Sequence, residues 1–287
     1  MKAGLMAAVF GAALWPGLAG AADRVAAAPG LEIRTSAQFA GAVSSLSFRG
    51  REYVDTADHG RELQSAASFD GFGECFNPTE AGNAADARKP TSSSRLLSAR
   101  TGPGWLETRV DMAFWLLPGT DYGKTCGTAA GVTRAVNRTV TGGYLLDKRM
   151  SARGNLLTDR VTYTVPAAHR GATFEAATLY TPAVFSRRYL VNPATGALLD
   201  ATRDGEQPFP VILATADGLD AVGLWSPRLP QGGYGYGVFM FPDTSKINCV
   251  YREGAIQPGQ RFTYTCVFAF GTLGEVQRTL LRLGSGR

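Results

Sequence analysis

Apolar and polar residues alternate along most of this chain. The clearest case is FTYTCVFAF at residues 262–270. One face has the larger side chains Phe262, Tyr264, Cys266, Phe268 and Phe270, and the other has Thr263, Thr265, Val267 and Ala269. A period of two predicts a β-strand with one buried face. Four further stretches alternate in the same way and end in glycine, proline or aspartate: residues 160–166, 172–182, 210–217 and 234–242. Such punctuation is typical of strands joined by turns.

Helical periodicity is nearly absent, and GEVQRTLLRL at residues 274–283 is the one stretch for which we predict a short helix. The turn signals recur about every ten residues, which predicts roughly a dozen or more strands. The fold class expected is therefore all-β, a single large antiparallel β-sandwich with at most a short C-terminal helix. No linker, repeat or shift in composition divides residues 22–287, so we expect one domain there.

Residues 1–21 have the pattern of a secretory signal peptide. Lys2 precedes a short apolar run, and Ala19-Gly20-Ala21 forms a small-x-small cleavage pattern. The run is interrupted by Pro16 and is too short for a convincing membrane span, although an uncleaved anchor is the alternative. No later segment is long and apolar enough to cross a bilayer. We therefore expect a mature protein that begins near Ala22 and is periplasmic or extracellular.

Four cysteines fit an oxidising compartment, where disulfides persist. Cys249 and Cys266 flank a turn containing Pro258, and in a hairpin they would lie nearly opposite each other. We predict a cross-strand disulfide between them, and Cys75–Cys126 then follows by elimination. Four cysteines permit three connectivities, and four buried free thiols are the alternative.

Charge is mildly positive, with 29 lysines and arginines against 24 acidic residues. The arginines occur singly along the predicted strands and form no run. Proteins that bind nucleic acid usually carry a clustered basic patch, so we expect no nucleic-acid partner. The sequence does not indicate the oligomeric state.

Both ends of the mature chain resemble the galactose-mutarotase-like supersandwich superfamily. The opening stretch GAVSSLSFRGREYVDTADHGRELQSA (residues 41–66) and the closing stretch IQPGQRFTYTCVFAFGTL (residues 256–273) are similar to its first and last strands. The superfamily includes aldose epimerases, polysaccharide lyase domains, parts of glycoside hydrolases and non-catalytic modules, so the resemblance implies a sugar ligand. Aldose epimerases use two histidines and a glutamate, and neither His59 nor His169 matches that motif.

A predicted strand at residues 104–119 combines aromatic and charged side chains on one face. Trp105, Arg109, Asp111 and Trp115 share this face, whereas the other face is apolar and is expected to join the core. Sugars are bound by aromatic rings that stack on C–H surfaces and by charged groups that hydrogen-bond to hydroxyls. We predict that these four residues bind substrate. A solvated strand face with cross-strand ion pairs is the alternative.

The segment DHGRELQ at residues 58–64 supplies three further candidates. Arg61 and Gln64 are predicted to bind substrate, and His59 is predicted to transfer protons, because an imidazole titrates near neutral pH. A turn held by an Asp58–Arg61 hydrogen bond is the alternative interpretation.

The irregular, acidic loop FDGFGECFNPTEAG at residues 69–82 is the strongest candidate for a site. Its carboxylates, Glu74 and Glu80 above all, fit glycoside hydrolysis, which needs two carboxyl groups across the scissile bond. Asn77 and Tyr122, with Arg61 and His59, fit a lyase, which must neutralise a substrate carboxylate and remove a proton.

The predicted Cys75–Cys126 disulfide joins this loop to a second glycine-rich stretch, and we expect the two loops to form one wall of a ligand cleft. A loop pinned only for stability, or a loop that holds a cation, is the alternative. No EF-hand spacing is present, and we predict neither a metal nor a cofactor.

These patterns predict a secreted carbohydrate-active protein that acts on a polysaccharide or a sugar acid as a hydrolase or lyase. The predicted catalytic residues are Glu80, Glu74 and His59. A non-catalytic carbohydrate-binding or cell-envelope protein on the same scaffold is the alternative.

Overall fold

The computed structural model describes residues 24–286. The signal peptide predicted at residues 1–21 lies outside the described residues. The described part contains nineteen strands and one α-helix, with short 3-10 turns at Ala37–Phe39 and Gly73–Phe76. The strands and helix are β1 (Arg24–Ala28), β2 (Leu31–Thr35), β3 (Val43–Phe48), β4 (Arg51–Glu52), β5 (Leu63–Phe69), β6 (Pro78–Thr79), β7 (Arg95–Gly102), β8 (Trp105–Phe114), β9 (Thr141–Arg153), β10 (Leu156–Thr164), β11 (His169–Pro182), β12 (Arg187–Val191), β13 (Leu198–Asp200), β14 (Gly205–Gln207), β15 (Val211–Ala214), β16 (Ala221–Trp225), β17 (Tyr236–Met240), β18 (Thr244–Ile256), β19 (Arg261–Gly271) and α1 (Leu273–Ser285).

The strands form two antiparallel layers. The first sheet has the order β1-β2-β3-β5-β11-β18-β17-β14, with β4 beside β3. The second sheet has the order β7-β8-β9-β10-β19-β16-β15-β12-β13. This architecture confirms the predicted all-β sandwich.

The core lies between the inward faces of the two sheets. Phe174 of the first sheet packs against Tyr163 and Tyr264 of the second, with ring centroids 4.7 and 5.5 Å apart. The hydroxyl of Tyr163 donates hydrogen bonds to two backbone carbonyls of the first sheet. Burial of such aromatic side chains is the main favourable contribution of this interior, and the hydroxyl bonds fix how the layers meet.

The two-residue strand β6 connects the layers at one end. Thr79 pairs with Ala66 of β5 in the first sheet and with Ala113 of β8 in the second. The chain that follows β6 therefore enters the space between the sheets, and Glu80 and Ala81 are fully buried.

Most predicted elements are present. The predicted helix is α1, whose N-terminus has a capping box formed by Thr272 and Glu275. Gly223 of β16 lets the helix pack closely, because a Cβ atom there would lie only 2.5 Å from Val276. The predicted strand at residues 104–119 ends earlier, at Phe114, because the next residue bonds to the backbone of Asn77 instead of continuing the ladder.

The predicted hairpin between the last two strands is wrong. β18 pairs with β11 and β17 in the first sheet, whereas β19 pairs with β10 and β16 in the second. The Pro-Gly turn between them carries the chain from one layer to the other. Cys249 and Cys266 consequently face each other across the core, as two buried free thiols in hydrogen-bond contact. The predicted Cys249–Cys266 disulfide is absent, and the predicted Cys75–Cys126 disulfide is present.

Within residues 24–286, no helix is long and apolar enough to span a membrane.

Candidate functional site

A cleft of about 140 Å³ opens on the outer face of the first sheet, away from the second. Five residues predicted for the site from sequence lie along it: Gln64, Glu74, Asn77, Trp115 and Tyr122. Five further polar or aromatic residues line it: Thr79, Glu175, Thr178, Tyr180 and Lys246. The structure thus brings strand residues and loop residues together in one concave site.

A β-bulge in β11 positions Glu175. The register of β11 shifts between Glu175 and Ala177 against β18, so that one extra residue is accommodated there. In a regular strand, residues three apart point to opposite faces, but the bulge brings Glu175 and Thr178 onto the same outer face. The Thr178 hydroxyl can then donate to Glu175 Oε2 over 2.9 Å.

Three donors hold one oxygen of the Glu175 carboxylate. Besides Thr178, Asn248 Nδ2 donates to Oε2 over 2.7 Å, and Lys246 Nζ lies 2.9 Å from the same atom. No group within residues 24–286 donates a hydrogen bond to Oε1. Because Glu175 keeps about a third of its side-chain surface exposed, Oε1 is available to a ligand in the cleft.

The ionised form of Glu175 is favoured. Burial by itself raises the pKa of this carboxyl, but the Lys246 ammonium and the hydrogen bonds outweigh burial and hold the pKa below its ordinary value. For Lys246, burial acts to lower the pKa, whereas Glu175 and Tyr180 raise it above the ordinary value. The pair is therefore charged over the whole physiological range.

Glu74 comes to the cleft from the opposite wall with the opposite tendency. It lies in the 3-10 turn Gly73–Phe76, and its Oε2 accepts a hydrogen bond of 2.9 Å from Asn77. Burial raises the pKa of Glu74; the Asn77 bond opposes this rise, and the negative charge of Glu175 adds to it. The cleft thus contains one carboxyl that favours the ionised form and one whose proton is held more tightly than usual.

The Cys75–Cys126 disulfide anchors the wall that carries Glu74. A small apolar cluster surrounds it, in which Leu116 and Ala135 are buried and both Trp115 and Tyr122 pack at the edge. This cluster is distinct from the main core and forms a small hydrophobic core for the two loops.

The two loops approach each other at glycines. Gly127 has φ +51°, and a Cβ atom at this position would lie 2.4 Å from the carbonyl oxygen of Gly71. Backbone N–H groups of residues 128 and 129 also donate to that carbonyl, each over 2.8 Å. Only glycine fits such a contact, so the glycine-rich composition of both loops follows from their packing.

Glu80, the first predicted catalytic residue, does not lie in the cleft. It is fully buried between the sheets, where Lys148 Nζ lies 2.5 Å from its Oε2 and the backbone N–H of Ser65 donates over 2.9 Å. Asp159 lies 4.0 Å from the same Lys148 nitrogen. The expectation that the Glu80 carboxylate faces an open cleft is therefore wrong, because the residue follows β6 into the interior.

The other catalytic candidate, His59, is also buried away from the cleft, 1% exposed, with its ring nitrogens 2.7 and 2.9 Å from the carbonyl oxygens of Ala87 and Gln38. His169 is hydrogen-bonded to Asp70 and Tyr144 over 2.8 Å each. Neither histidine lines the cleft.

Arg61 is occupied by protein carboxylates. Its Nη1 lies 2.7 Å from Asp243 and 3.4 Å from Asp55, and its Nε lies 3.6 Å from Asp58. The predicted Asp58–Arg61 contact is thus one part of a larger ion-pair group that does not line the cleft.

Trp105, Arg109 and Asp111 lie on the second sheet. They occupy the outer face of β8, and the apolar residues of that strand point into the core as predicted. Because Trp115 lies beyond the end of β8, it no longer shares their face. The predicted sugar-binding face is therefore divided between two sides of the molecule.

Sequence reasoning missed Glu175 and Lys246. A glutamate in the middle of the otherwise apolar and small FEAATL stretch, followed by two alanines that break the alternation, is the signal that could have revealed the bulge. Among the described residues, no group of three or more histidine, cysteine, aspartate or glutamate side chains is placed to hold a metal.

Comparison with solved structures finds the same architecture in several proteins. An Escherichia coli K12 protein provisionally named an aldose 1-epimerase has a TM-score of 0.52 at 10% identity, over 88% of this chain and 99% of its own. An α-mannosidase from Enterococcus faecalis V583 has a TM-score of 0.51 at 9% identity, over 87% of this chain and 29% of its own. A glycosyl hydrolase family 38 protein from Enterococcus faecalis has a TM-score of 0.52 at 8% identity, over 87% of this chain and 30% of its own.

No protein-family model matches the chain, and no curated protein sequence matches it. The chain spans less than a third of the two longer Enterococcus proteins. At such low identity, the structural likeness concerns the fold. The sheet order and these matches together show that the chain has the galactose-mutarotase-like sandwich fold, as its resemblance at residues 41–66 and 256–273 predicts.

Proposed function

We propose that this protein is a carbohydrate-active enzyme that binds a sugar chain or a sugar acid in the first-sheet cleft. The observation that carries the proposal is the pair of carboxyls, Glu175 and Glu74, in one cleft with pKa values displaced in opposite directions. Environments that separate two carboxyl pKa values in this way are typical of acid–base sites.

Cleavage of a glycosidic bond uses such a pair directly. Glu74 in its protonated form gives its proton to the leaving oxygen, while ionised Glu175 acts through Oε1 on the anomeric carbon or on an attacking water. In a lyase, Glu175 instead removes the proton next to the uronic carboxylate, and Asn77 and Lys246 stabilise the negative charge that develops. The double bond then forms as the C–O bond on the neighbouring carbon breaks, and protonated Glu74 gives its proton to the leaving oxygen.

Two aromatic residues of the cleft fit sugar binding, because Trp115 and Tyr122 offer ring surfaces for stacking. The Gln64 amide is occupied by the protein: its Oε1 accepts from the backbone N–H of Ala81, and its Nε2 donates to Glu62.

A non-catalytic sugar-binding protein is the second candidate, and one observation favours it. Three donors converge on Glu175 Oε2 and lower its pKa, which makes this carboxylate a weak base. A fixed, ionised carboxylate beside aromatic rings also suits the recognition of sugar hydroxyls without turnover.

We propose further that the protein is exported, with residues 1–21 removed as a signal peptide. The Cys75–Cys126 disulfide supports an oxidising compartment. Mass spectrometry of the protein recovered from the producing cells tests this: an N-terminus near Ala22 is expected, and a mature pool that retains Met1 would contradict export with cleavage.

The enzymatic proposal is tested with the protein comprising residues 22–287 and a panel of neutral and acidic polysaccharides. New reducing ends indicate hydrolysis, and products with ultraviolet absorbance from a new double bond indicate a lyase. We expect E175Q and E74Q each to lower turnover at least about tenfold, which corresponds to roughly 1.4 kcal/mol. E32Q is the matched control, because Glu32 is a partly exposed glutamate paired with Arg34 on β2.

Turnover that is unchanged in both cleft variants would overturn the proposed site. Sugar binding by calorimetry without turnover on any substrate, lost in E175Q and kept in E32Q, would establish the binding protein instead.

A further inference from the structure

The second sheet gathers arginines that are far apart in the sequence. Arg100, Arg109, Arg149, Arg160 and Arg261 come from β7, β8, β9, β10 and β19 and all lie on the outer face. We call this set the arginine face. It lies on the opposite side of the sandwich from the cleft.

Strand register places three of the arginines in one row. Arg100 pairs with Glu107, Glu107 with Arg149, and Arg149 with Arg160 across successive strands. Neighbouring strands lie about 4.8 Å apart, so the row is a straight ladder of charges. Arg149 and Arg160 are direct cross-strand neighbours, an arrangement of like charges that destabilises a sheet. Within residues 24–286, Arg160 forms no ion pair.

The acidic groups on this face neutralise only part of the charge. Glu107 contacts Arg100, over 2.8 Å, and Arg149; Asp147 lies 3.4 Å from both Arg109 and Arg261. Five guanidinium groups therefore face two carboxylates, an excess of three positive charges. A third carboxylate on the outer face of β8, Asp111, is paired with Arg95 over 2.8 Å and does not change this excess. Glu107 is 23% exposed, whereas Arg100 is 76% exposed, so the carboxylates lie below the guanidinium groups.

These groups border a shallow groove of about 450 Å³, lined among others by Arg100, Arg109, Arg149, Arg160, Glu107 and Asp147. A guanidinium carries five N–H donors in a planar fork that matches carboxylate and sulfate groups. Each arginine here spends few of its donors on the protein, so most remain available to an anionic ligand in the groove.

We propose that the arginine face binds an acidic polysaccharide. The arginines bind its carboxylate or sulfate groups, and the carboxylates of Glu107 and Asp147 accept hydrogen bonds from its hydroxyls. The choice of a sugar polymer rests on the proposed function, whereas the binding of a polyanion rests on the charges of this face alone. The mixture of donors and acceptors favours a polymer that has both anionic groups and hydroxyl donors. A DNA backbone offers acceptors only.

The described residues that line the groove include no aromatic side chain on which single-stranded nucleic acids could stack. Trp105, on the same face of β8, is covered by the Arg149 guanidinium, which lies 5.1 Å from the ring centroid. Of the two polyanions, the observations therefore favour the polysaccharide.

The test measures binding of the protein comprising residues 22–287 to dextran sulfate and to polygalacturonate, with neutral dextran and single-stranded DNA as comparisons. The face variant is R100Q/R160Q, which leaves Glu107 paired with Arg149. The matched control is R138Q/R203Q, which removes the same charge from two exposed arginines on loops outside this sheet face.

We expect the face variant to weaken binding to at least one of the two acidic polysaccharides by at least about tenfold and to reduce its salt dependence, and the control to change affinity by no more than about threefold. Whichever of the two is bound more tightly identifies the anionic group. Thermal unfolding of both variants close to that of the original protein shows that the fold is kept.

Three results would overturn the proposal: equal weakening in the face variant and the control, equally tight binding of neutral dextran, or tighter binding of single-stranded DNA. The proposal for the arginine face is read from R100Q/R160Q against R138Q/R203Q, and all four substitutions leave the cleft residues unchanged. The proposal for the cleft is read from E175Q against E32Q, so the two proposals fail separately.

Discussion

Two glutamate–lysine pairs in this molecule have nearly the same geometry and very different surroundings. In the core, Lys148 Nζ lies 2.5 Å from Glu80, and both side chains are at most 1% exposed. In the cleft, Lys246 Nζ lies 2.9 Å from Glu175, with the side chains 13% and 33% exposed. The cleft carboxylate has three donors on one oxygen, whereas Glu80 Oε1 in the core has no hydrogen-bond partner among residues 24–286.

Burial and access to water give the two charged pairs different roles. The core pair is closed off from water, so each partner depends on the other and on nearby Asp159. The cleft pair is held by neutral donors as well, and water reaches its free oxygen. The interior pair therefore stabilises the fold only while both partners are present, because losing one leaves an unpaired buried charge. The cleft pair can contact a ligand through the exposed oxygen of its carboxylate.

The largest expected effect comes from removing each lysine. Loss of one partner from a buried pair costs about 3–5 kcal/mol, so we expect K148M to lower the free energy of unfolding by that amount. K246M leaves Glu175 partly exposed with two donors, and we expect a loss of about 1 kcal/mol or less. Urea unfolding of the two variants measures the difference.

Equal losses in the two lysine variants would contradict this contrast. If K148M fails to fold, the double variant E80M/K148M decides the matter. It removes both charges, and apolar replacement of a whole buried pair is often close to neutral. A double variant that is no more stable than K148M would argue against the ion pair as the cause.

The next largest effect is expected in the pH dependence of stability, which the buried groups of the core should dominate. Burial raises the pKa of Asp159 to about 7, with Lys148 opposing the rise and Glu80 adding to it. The folded protein then binds this proton more tightly than the unfolded chain does. Between about pH 4 and pH 7, stability should fall as the pH rises, by at most about 1.4 kcal/mol for each pH unit.

Replacing Asp159 with asparagine should remove this slope, and the difference between the two unfolding curves isolates it from other groups. Burial also raises the pKa of Glu62, to about 9, which extends a decline of the same sign to higher pH. A D159N protein whose stability still falls as steeply as that of the original between pH 5 and pH 7 would exclude Asp159 as the source.

Replacing each glutamate with glutamine is expected to change stability less than replacing its lysine does. The effects on stability and on sugar handling should be opposite in the two variants. E80Q weakens a buried, charge-assisted contact, and we expect it to cost about 1–3 kcal/mol of stability while sugar handling stays within about twofold. E175Q should cost less than about 1 kcal/mol of stability, because water reaches the site. Thermal unfolding and a sugar-binding assay on the same preparations compare the two variants. An E80Q protein with normal stability and lost sugar handling would show that Glu80, which we assign to the fold, acts on the sugar instead.

The smallest effect concerns a single neutral donor. T178V removes the hydroxyl that donates to Glu175 and keeps the side-chain shape. Because such a bond contributes about 1 kcal/mol, the pKa of Glu175 should rise by less than about one unit. An NMR titration of the Glu175 carboxyl carbon measures the rise, with K246M as the variant expected to raise it further. A fall in the pKa would mean that the hydroxyl does not donate to this carboxylate.

The strand content and the helix could be predicted from sequence because alternation and turn residues are local signals. The faces of β8 and β19 follow directly from the two-residue period. Part of the site was equally accessible: cysteines and glycines around Glu74 and Tyr122 indicated two loops held together.

The remaining errors come from features that depend on distant pairing. Nothing near Glu80 indicates that β6 bridges two sheets and carries the chain inward. The bulge that positions Glu175 depends on the register of β11 against its two neighbours, β5 and β18. The arginines occur singly along the sequence, and only the order of five strands makes them neighbours.

The last strand of the chain lies in the middle of the second sheet, between β10 and β16. A ribosome delivers both of these neighbours before it delivers β19, and Thr162 meets Thr263 across 101 positions of sequence. Until β19 has been synthesised, β10 and β16 each present an unpaired edge that can pair with another nascent chain. We therefore expect the yield of soluble protein to depend on slow expression or on chaperones, and polypeptides that stop before residue 261 to aggregate.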